Sequence, residues 1–449
     1  MRKLFLLSVL LVSAFLFFSC QDVPPVSSQV NDNNFPSSLG KVNFPLADFF
    51  LVEYNTNEND FNNIVKNAGG TVDALHPEIK VAKVSGLSDK NAALLEKKAG
   101  IKSVSRDYLV QWVSPDAKVI QQSIGNNETC WSYQWAPPAI HAPEAWDAGF
   151  TGQGVRVAVI DGGISSNHID LKDNIDMTAS KSFVDGFNFN QDVGTFWHAT
   201  HVAGIIAAED NSIGTIGIAP HATIIALKAL HGGSGTFDAV ISAILYAAND
   251  ANADIINMSL GAVFPRNSKD AAKLIVDLGL AINYAYQKGV TVIVAAGNDA
   301  IDFDHAAMYV SIPAEIQHVI CISATGPTDF ANGGTNFDDP AEYTNYGQSL
   351  ISFAAPGGND LLYPNGLWYF DMILSPSYGT GTYTWADGTS MAAPHVAGVA
   401  ALIIQSHGGK LSPAKVAAIL RASSDDLGKP GNDDYYGQGR VNAYRAVMY

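Results

Sequence analysis

A chain of 449 residues with 47% hydrophobic and only 15% charged side chains has the composition of a folded protein with a large core. That excludes a disordered or low-complexity chain. Its 26 basic and 43 acidic residues leave a net charge of −17, nearly all of it beyond residue 130, which argues against nucleic acid as a partner.

The first 20 residues read as a targeting segment. Arg2 and Lys3 precede an apolar stretch from Leu4 to Phe18, too short to span a bilayer. It ends in Phe18-Ser19-Cys20, which resembles a bacterial lipoprotein signal whose Cys takes a lipid; an ordinary secretory signal with an incidental Cys is the alternative. The protein is therefore expected to be exported, meeting a membrane only through a lipid on Cys20. Residues 21–43, rich in Pro, Ser and Asn, read as a flexible tether.

Residues 44–113 form a small periodic block. Strands are expected at Phe49 to Tyr54, Thr71 to Leu75, Ile79 to Val84 and Ile101 to Trp112. Helices are expected at Asp60 to Asn67 and, capped by Ser88, up to Lys98. The order β-α-β-β-α-β is the ferredoxin-like α+β plan. Residues 114–129 are polar and turn-rich and read as a linker.

From residue 130 onward apolar runs alternate with helices. Strands are expected at Val155–Ile160, Thr223–Leu230, Asp254–Met258, Thr291–Ala295, Val319–Ala324 and Ile351–Ala354. Helices are expected at His198–Ala208, Asp238–Asn252, Ser268–Lys288, Met391–Gln405 and Pro413–Ala422. Near-continuous Val, Ile and Ala indicate strands buried on both faces. The 130–449 unit is thus an α/β three-layer fold, a parallel sheet with helices on both faces. Ligands on such sheets bind beyond the carboxyl ends of the strands.

Polar residues cluster at those ends. The strand Val157-Ala-Val-Ile-Asp161 closes on an acid and two glycines. His198-Ala-Thr-His201-Val-Ala-Gly204 opens a helix. Gly388-Thr-Ser390-Met-Ala-Ala-Pro394-His-Val-Ala-Gly398 places a serine at another helix start, with Pro394 expected in the first turn. A serine nucleophile needs a base, and the base needs an acid to fix its tautomer. Asp161, His198 and Ser390 can supply these roles. Asn298, ending the strand Thr291-Val-Ile-Val-Ala-Ala-Gly297-Asn298, can donate to an oxyanion together with the Ser390 N–H. A metal pair at His198 and His201 is the alternative for the two histidines.

These segments together resemble the subtilisin-like serine proteases, the subtilases, from about Trp135 to an ending at Gly437 to Val447. The resemblance implies a serine endopeptidase acting on polypeptide substrates. Asp161 would be the orienting acid, His198 the base, Ser390 the nucleophile and Asn298 the oxyanion donor. Gly233-Ser234-Gly235 and Ser259-Leu260-Gly261 would be the two edges that hold an extended substrate. Residues 44–113 would be an inhibitory pro-domain that the enzyme removes by its own cleavage within 114–129. A structural Ca2+ would join Asp170 to the loop residues Asn211, Ile213 and Thr215, with Gln134 nearby; a plain surface turn is the alternative there. The family has Gly after the catalytic His, whereas this chain has Ala199. That leaves open a weakened pseudoprotease that binds peptides. The protein is expected to be a monomer.

Three further readings have two outcomes each. Cys130 and Cys321 could pair, or be buried thiols. Asp299, Asp302 and Asp304 could form an acidic rim or a solvated loop. The insertion from Gly357 to Ala386, with Tyr363, Trp368, Tyr369 and Phe370, could shape the cleft or pack locally.

Overall fold

The structure, a computed structural model, describes residues 45–112, 120–123, 130–364 and 367–449. The signal segment, the tether and Cys20 lie outside the described residues, as does most of the 114–129 linker. No helix among the described residues is long and apolar enough to cross a membrane.

The N-terminal module consists of β1 (Leu46–Tyr54), α1 (Glu58–Asn67), β2 (Thr71–His76), β3 (Val81–Ser85), α2 (Asp89–Leu95) and β4 (Ile101–Gln111). Asn57 and Ser88 cap the two helices, accepting from Asp60 N–H and Asn91 N–H, as such side chains do at orphan N-terminal amides. The sheet is antiparallel in the order β2-β3-β1-β4, the ferredoxin-like arrangement. Alternation along β1 gives it two buried faces. Phe50, Val52 and Tyr54 pack with Phe61, Val65 and Leu95 of the module's own helices. Leu51, Val81 and Val110 join a different core, that of the large domain.

That domain is built on β6 (Arg156–Asp161), α3 (His198–Ala207), β7 (Thr223–Lys228), β8 (Ser234–Thr236), α4 (Phe237–Asn249), β9 (Ile255–Met258), α5 (Lys269–Gln287), β10 (Thr291–Ala295), β11 (Val319–Gly326), β12 (Phe353–Pro356), β13 (Ile373–Pro376), β14 (Thr382–Ala386) and α6 (Thr389–Ser406), preceded by β5 (Ile120–Ser123). Strands β11, β10, β9, β6 and β7 lie side by side and parallel, with β12 beside β11 and Lys181–Ser182 beside β7. Among the described residues only the two-residue strand Asp339–Pro340 runs antiparallel in this sheet.

The three layers follow from period-two alternation. Val157, Val159, Ile293 and Ala295 face α3 and α6. Ala158, Ile160, Val292 and Val294 face α4 and α5. The strands are mostly apolar on both faces because both faces are covered.

Two features differ from the sequence reading, and a third settles a choice it left open. The linker contains β5, which pairs antiparallel with β14; a short polar segment becomes a strand because a distant hairpin edge offers it backbone partners. Pro394 stands inside α6, five residues past its start at Thr389, and not in the first turn. Cys130 and Cys321 are both buried and not joined by a disulfide; they belong to separate cores.

Candidate active site

The strand ends bring the sequence-selected residues together. Asp161 is the last residue of β6, His198 opens α3, and Ser390 is the second residue of α6. Asp161 is 1% exposed. Its Oδ1 accepts from Gly162 N–H at 2.6 Å, and its Oδ2 lies 2.8 Å from His198 Nδ1. A buried carboxylate there makes Nδ1 the protonated nitrogen, so Nε2 carries the lone pair. Nε2 is buried with no partner of its own. His201, one turn further, is not a second ligand. Its Nε2 faces the carbonyls of Thr384 (2.9 Å) and Ile373 (3.2 Å), and burial lowers its pKa to about 3. Ala199 is accommodated, 2% exposed, within an unbroken α3.

The Ser390 hydroxyl donates to the Ser259 carbonyl at 3.2 Å. In return the Ser259 hydroxyl donates to the Ser390 carbonyl at 2.7 Å. The second bond has a sequence cause. Pro394 has no N–H, so the carbonyl four residues back, that of Ser390, loses its helical donor. Asn257 Nδ2 steadies the Ser259 hydroxyl at 3.0 Å.

Asn298 is oriented by Thr389. Its Oδ1 accepts from Thr389 N–H (2.9 Å) and Thr389 Oγ1 (2.7 Å), which leaves Nδ2 as the outward donor. A Cβ on Gly388 would lie 3.1 Å from that Nδ2 and 3.7 Å from Ser390 N. The two donors therefore flank one space, and Gly388, at φ +144, keeps it open.

Three residues with no separate sequence signal complete the site: Thr389, Asp192 and Lys228. Asp192 accepts from Gly163 N–H (2.6 Å) and Gly232 N–H (2.9 Å), tying the loop after Asp161 to the cleft edge. Fully buried Lys228 pairs with Asp192 at 3.5 Å and donates to Leu230 C=O at 2.6 Å. Burial pushes its pKa down.

The two segments expected as cleft edges pair with the N-terminal module. β4 pairs antiparallel with β8, Val110 opposite Gly235 and Gln111 opposite Ser234. Beyond it, Trp112 N–H donates to Gly233 C=O (3.1 Å), and Gly261 N–H donates to Trp112 C=O (2.8 Å). The Trp112 indole, 2% exposed, packs edge-on to Phe237 and donates to Gly235 C=O at 3.0 Å. Asp107 caps α4, accepting from Phe237 N–H and Asp238 N–H. Ser259 and Leu260 form the floor beside Gly261, both buried.

The readings left with two outcomes each take one of them. Asp302 and Asp304 are spent on local contacts, with His305 and with Gln348 and Ser349, and Asp299 lies beside Asn345. The insertion aromatics Tyr363, Trp368, Tyr369 and Phe370 pack locally with Tyr383 and Trp385. Several of the oxygens expected to hold Ca2+ make local hydrogen bonds. Gln134 gives its oxygen to Ile216 N–H and its amide hydrogen to Ile216 C=O. Asn211 Oδ1 accepts from Ile213 N–H, and Asp170 Oδ2 accepts from Thr215 N–H. Asp170 Oδ1 is buried and has no hydrogen-bond partner.

Fold and site together define a class, a serine hydrolase on a doubly covered parallel sheet. The profile of the Subtilase family matches residues 152–439, and the chain belongs to that family: it is a subtilisin-like serine endopeptidase. Thermitase of Thermoactinomyces vulgaris is 36% identical over 320 residues, covering 71% of this chain and 97% of its own. Subtilisin E of Bacillus subtilis is 34% identical over 371 residues, covering 82% and 83%. A crystal structure of the epidermin leader peptide processing serine protease of Staphylococcus aureus superposes with a TM-score of 0.74 at 27% identity, over 90% of this chain and 98% of that one.

Proposed function

We propose that this endopeptidase is exported as a zymogen and cleaves peptide bonds through an acyl-enzyme on Ser390. Ser390 Oγ leaves the Ser259 carbonyl and attacks the scissile carbonyl carbon, its proton passing to His198 Nε2. Asp161 stabilises the resulting imidazolium through Nδ1–H. The developing oxyanion is met by Asn298 Nδ2–H and Ser390 N–H. Collapse expels the amine, which takes the proton from His198. Water then attacks the ester by the same route in reverse.

The N-terminal module is the inhibitory pro-domain in this reading. The observation that carries it is the strand pairing of residues 109–112 with Ser234–Thr236 and Gly261, the position an extended substrate would take. The same pairing supports Gly233, Ser234, Gly235, Ser259, Leu260 and Gly261 as the substrate edges. Cleavage within 114–129 would leave the signal segment and any lipid on Cys20 with the module.

The test is Ser390→Ala in the full-length chain. Hydrolysis, labelling by a fluorophosphonate probe and self-cleavage should all disappear. Normal maturation of that variant in purified form would refute the self-processing.

A further inference from the structure

The turn that carries Asn298 is shaped by a segment further along the chain. Residues 343–346 lie between β11 and β12, anchored to the sheet by Thr344, whose Oγ1 accepts from Ala324 N–H at 3.1 Å. Fully buried Asn345 directs its N–H and its whole side-chain amide at the Asn298 turn. Its N–H donates to Gly297 C=O (2.9 Å) and its Nδ2 donates to Ala296 C=O (2.9 Å). Its Oδ1 accepts from Asp299 N–H (3.0 Å) and Ile301 N–H (3.1 Å). Ala300 N–H adds a bond to Tyr343 C=O at 2.9 Å, and Tyr346 N–H donates to Ile301 C=O at 3.0 Å. The fit is close: a Cβ on Gly297, at φ +99, would stand 2.4 Å from Asn345 Nδ2. One residue thus holds the neighbours of Asn298 on both sides, while the Asn298 amide turns to Thr389.

The same segment reaches the other oxyanion donor. The Tyr343 hydroxyl accepts from Gly388 N–H at 2.8 Å and faces, as donor, the carbonyls of Gly357 (3.0 Å) and Gly358 (2.8 Å). Gly388 N–H is shared with Gly357 C=O at 3.0 Å. Gly388 leads directly into Thr389 and Ser390, so the phenol fixes the backbone from which Ser390 N–H is presented.

We propose that Asn345 and Tyr343 are positioning residues for the oxyanion hole, a brace that sets the Asn298 amide and the Ser390 N–H relative to one another. Preorganised donors stabilise a developing charge without reorganising as it forms. A misplacement of about 1 Å can cost about 100-fold in rate. The brace rests on the oxyanion role given to Asn298 above, and Asn345 acts through that amide.

The test is a kinetic double-mutant cycle on matured enzyme. Each variant's concentration is taken from exhaustive fluorophosphonate labelling of Ser390, so that lost folded protein does not count. Asn345→Ala is expected to lower kcat about 10- to 100-fold with KM unchanged. In the Asn298→Ala enzyme the same substitution should cost less than about twofold, because the amide it positions is gone. A larger loss there, a loss confined to KM, or no loss in the parent overturns the brace and leaves the oxyanion reading standing. If Asn298→Ala alone leaves kcat unaltered, the oxyanion assignment falls and the brace with it. Where Asn345→Ala yields no matured enzyme, Tyr343→Phe decides. It removes a single oxygen, and kcat should fall about 3- to 10-fold with KM unchanged; any other result overturns the brace.

Discussion

Ser259 and Ser390 exchange hydrogen bonds, each hydroxyl donating to the other's carbonyl, at 2.7 Å and 3.2 Å. One of these bonds repairs the helix where Pro394 cannot donate. The other holds the nucleophile before substrate arrives, on the carbonyl that borders the cleft.

Ser259→Ala should therefore leave the Ser390 carbonyl buried without a donor, costing about 1–3 kcal/mol of stability. Adding Pro394→Ala returns a helical N–H at that carbonyl. Chemical denaturation of both variants, each carrying Ser390→Ala, should show the double variant recovering part of the loss. Simple additivity would count against the repair.

Thr389→Val removes one of the two bonds that orient Asn298. We expect kcat to fall about tenfold with KM unchanged, because the amide acts on the transition state. Asn298→Ala should cost about 100- to 1000-fold in kcat. Steady-state kinetics on a peptide substrate would separate the two. A Thr389→Val effect confined to KM would contradict the assignment.

Trp112→Ala should weaken the hold of the N-terminal module by about 3–5 kcal/mol, the range for emptying a large aromatic site. Full-length variant protein should then cleave a small peptide substrate at once, whereas the parent should show a lag. An identical lag in both would show that the indole does not anchor the module.

Attachment of the module should also respond to pH. Asp277 on α5 and Asp107 on β4 are both pushed up to about 7 by burial, in an interface that also holds Glu53, Lys273 and the His76–Asp238 pair. A carboxyl whose pKa is raised in the attached state binds a proton that the detached state releases. Attachment is therefore favoured below the ordinary carboxyl range and weakens as pH rises toward 7, levelling off above it. Asp277→Asn should flatten that dependence, measured as the fraction of Ser390→Ala chain, nicked in the linker, that keeps its module on gel filtration at pH 5 and pH 8. Equal retention at both pH values in the parent would contradict the linkage.

Much of this was readable from the chain alone. Alternation through Val157 to Ile160 and Val292 to Ala295 defines the layers, and Asp161, His198, Asn298 and Ser390 sit at the ends of the elements so defined. What escaped was pairing across distance. Nothing in Ile120 to Ser123 marks a strand until the β14 edge is beside it. The role of Ser259 depends on a proline 135 positions later in the chain, and the placing of Tyr383 on the absence of a Cβ at Gly214. The Ca2+ expectation rested on Asp170 and the Asn211–Thr215 loop, where Asn211 Oδ1 and Asp170 Oδ2 accept from N–H groups of the loop itself, bonds that residue types alone do not reveal.

The strand β8 belongs to two structures at once. It is an edge proposed to hold substrate and also the fifth strand of the module's sheet, in the order β2-β3-β1-β4-β8. While the backbone is continuous, the occupying strand is present at an effective concentration on the order of millimolar, set by the tether and not by its affinity. A free peptide at micromolar levels cannot compete with that. One cut beyond Trp112 changes the arithmetic, since occupancy then depends on how many molecules share the volume. If the module is the inhibitor proposed above, the contacts that would silence the enzyme in a crowded compartment would release it on dilution, with no change in any residue.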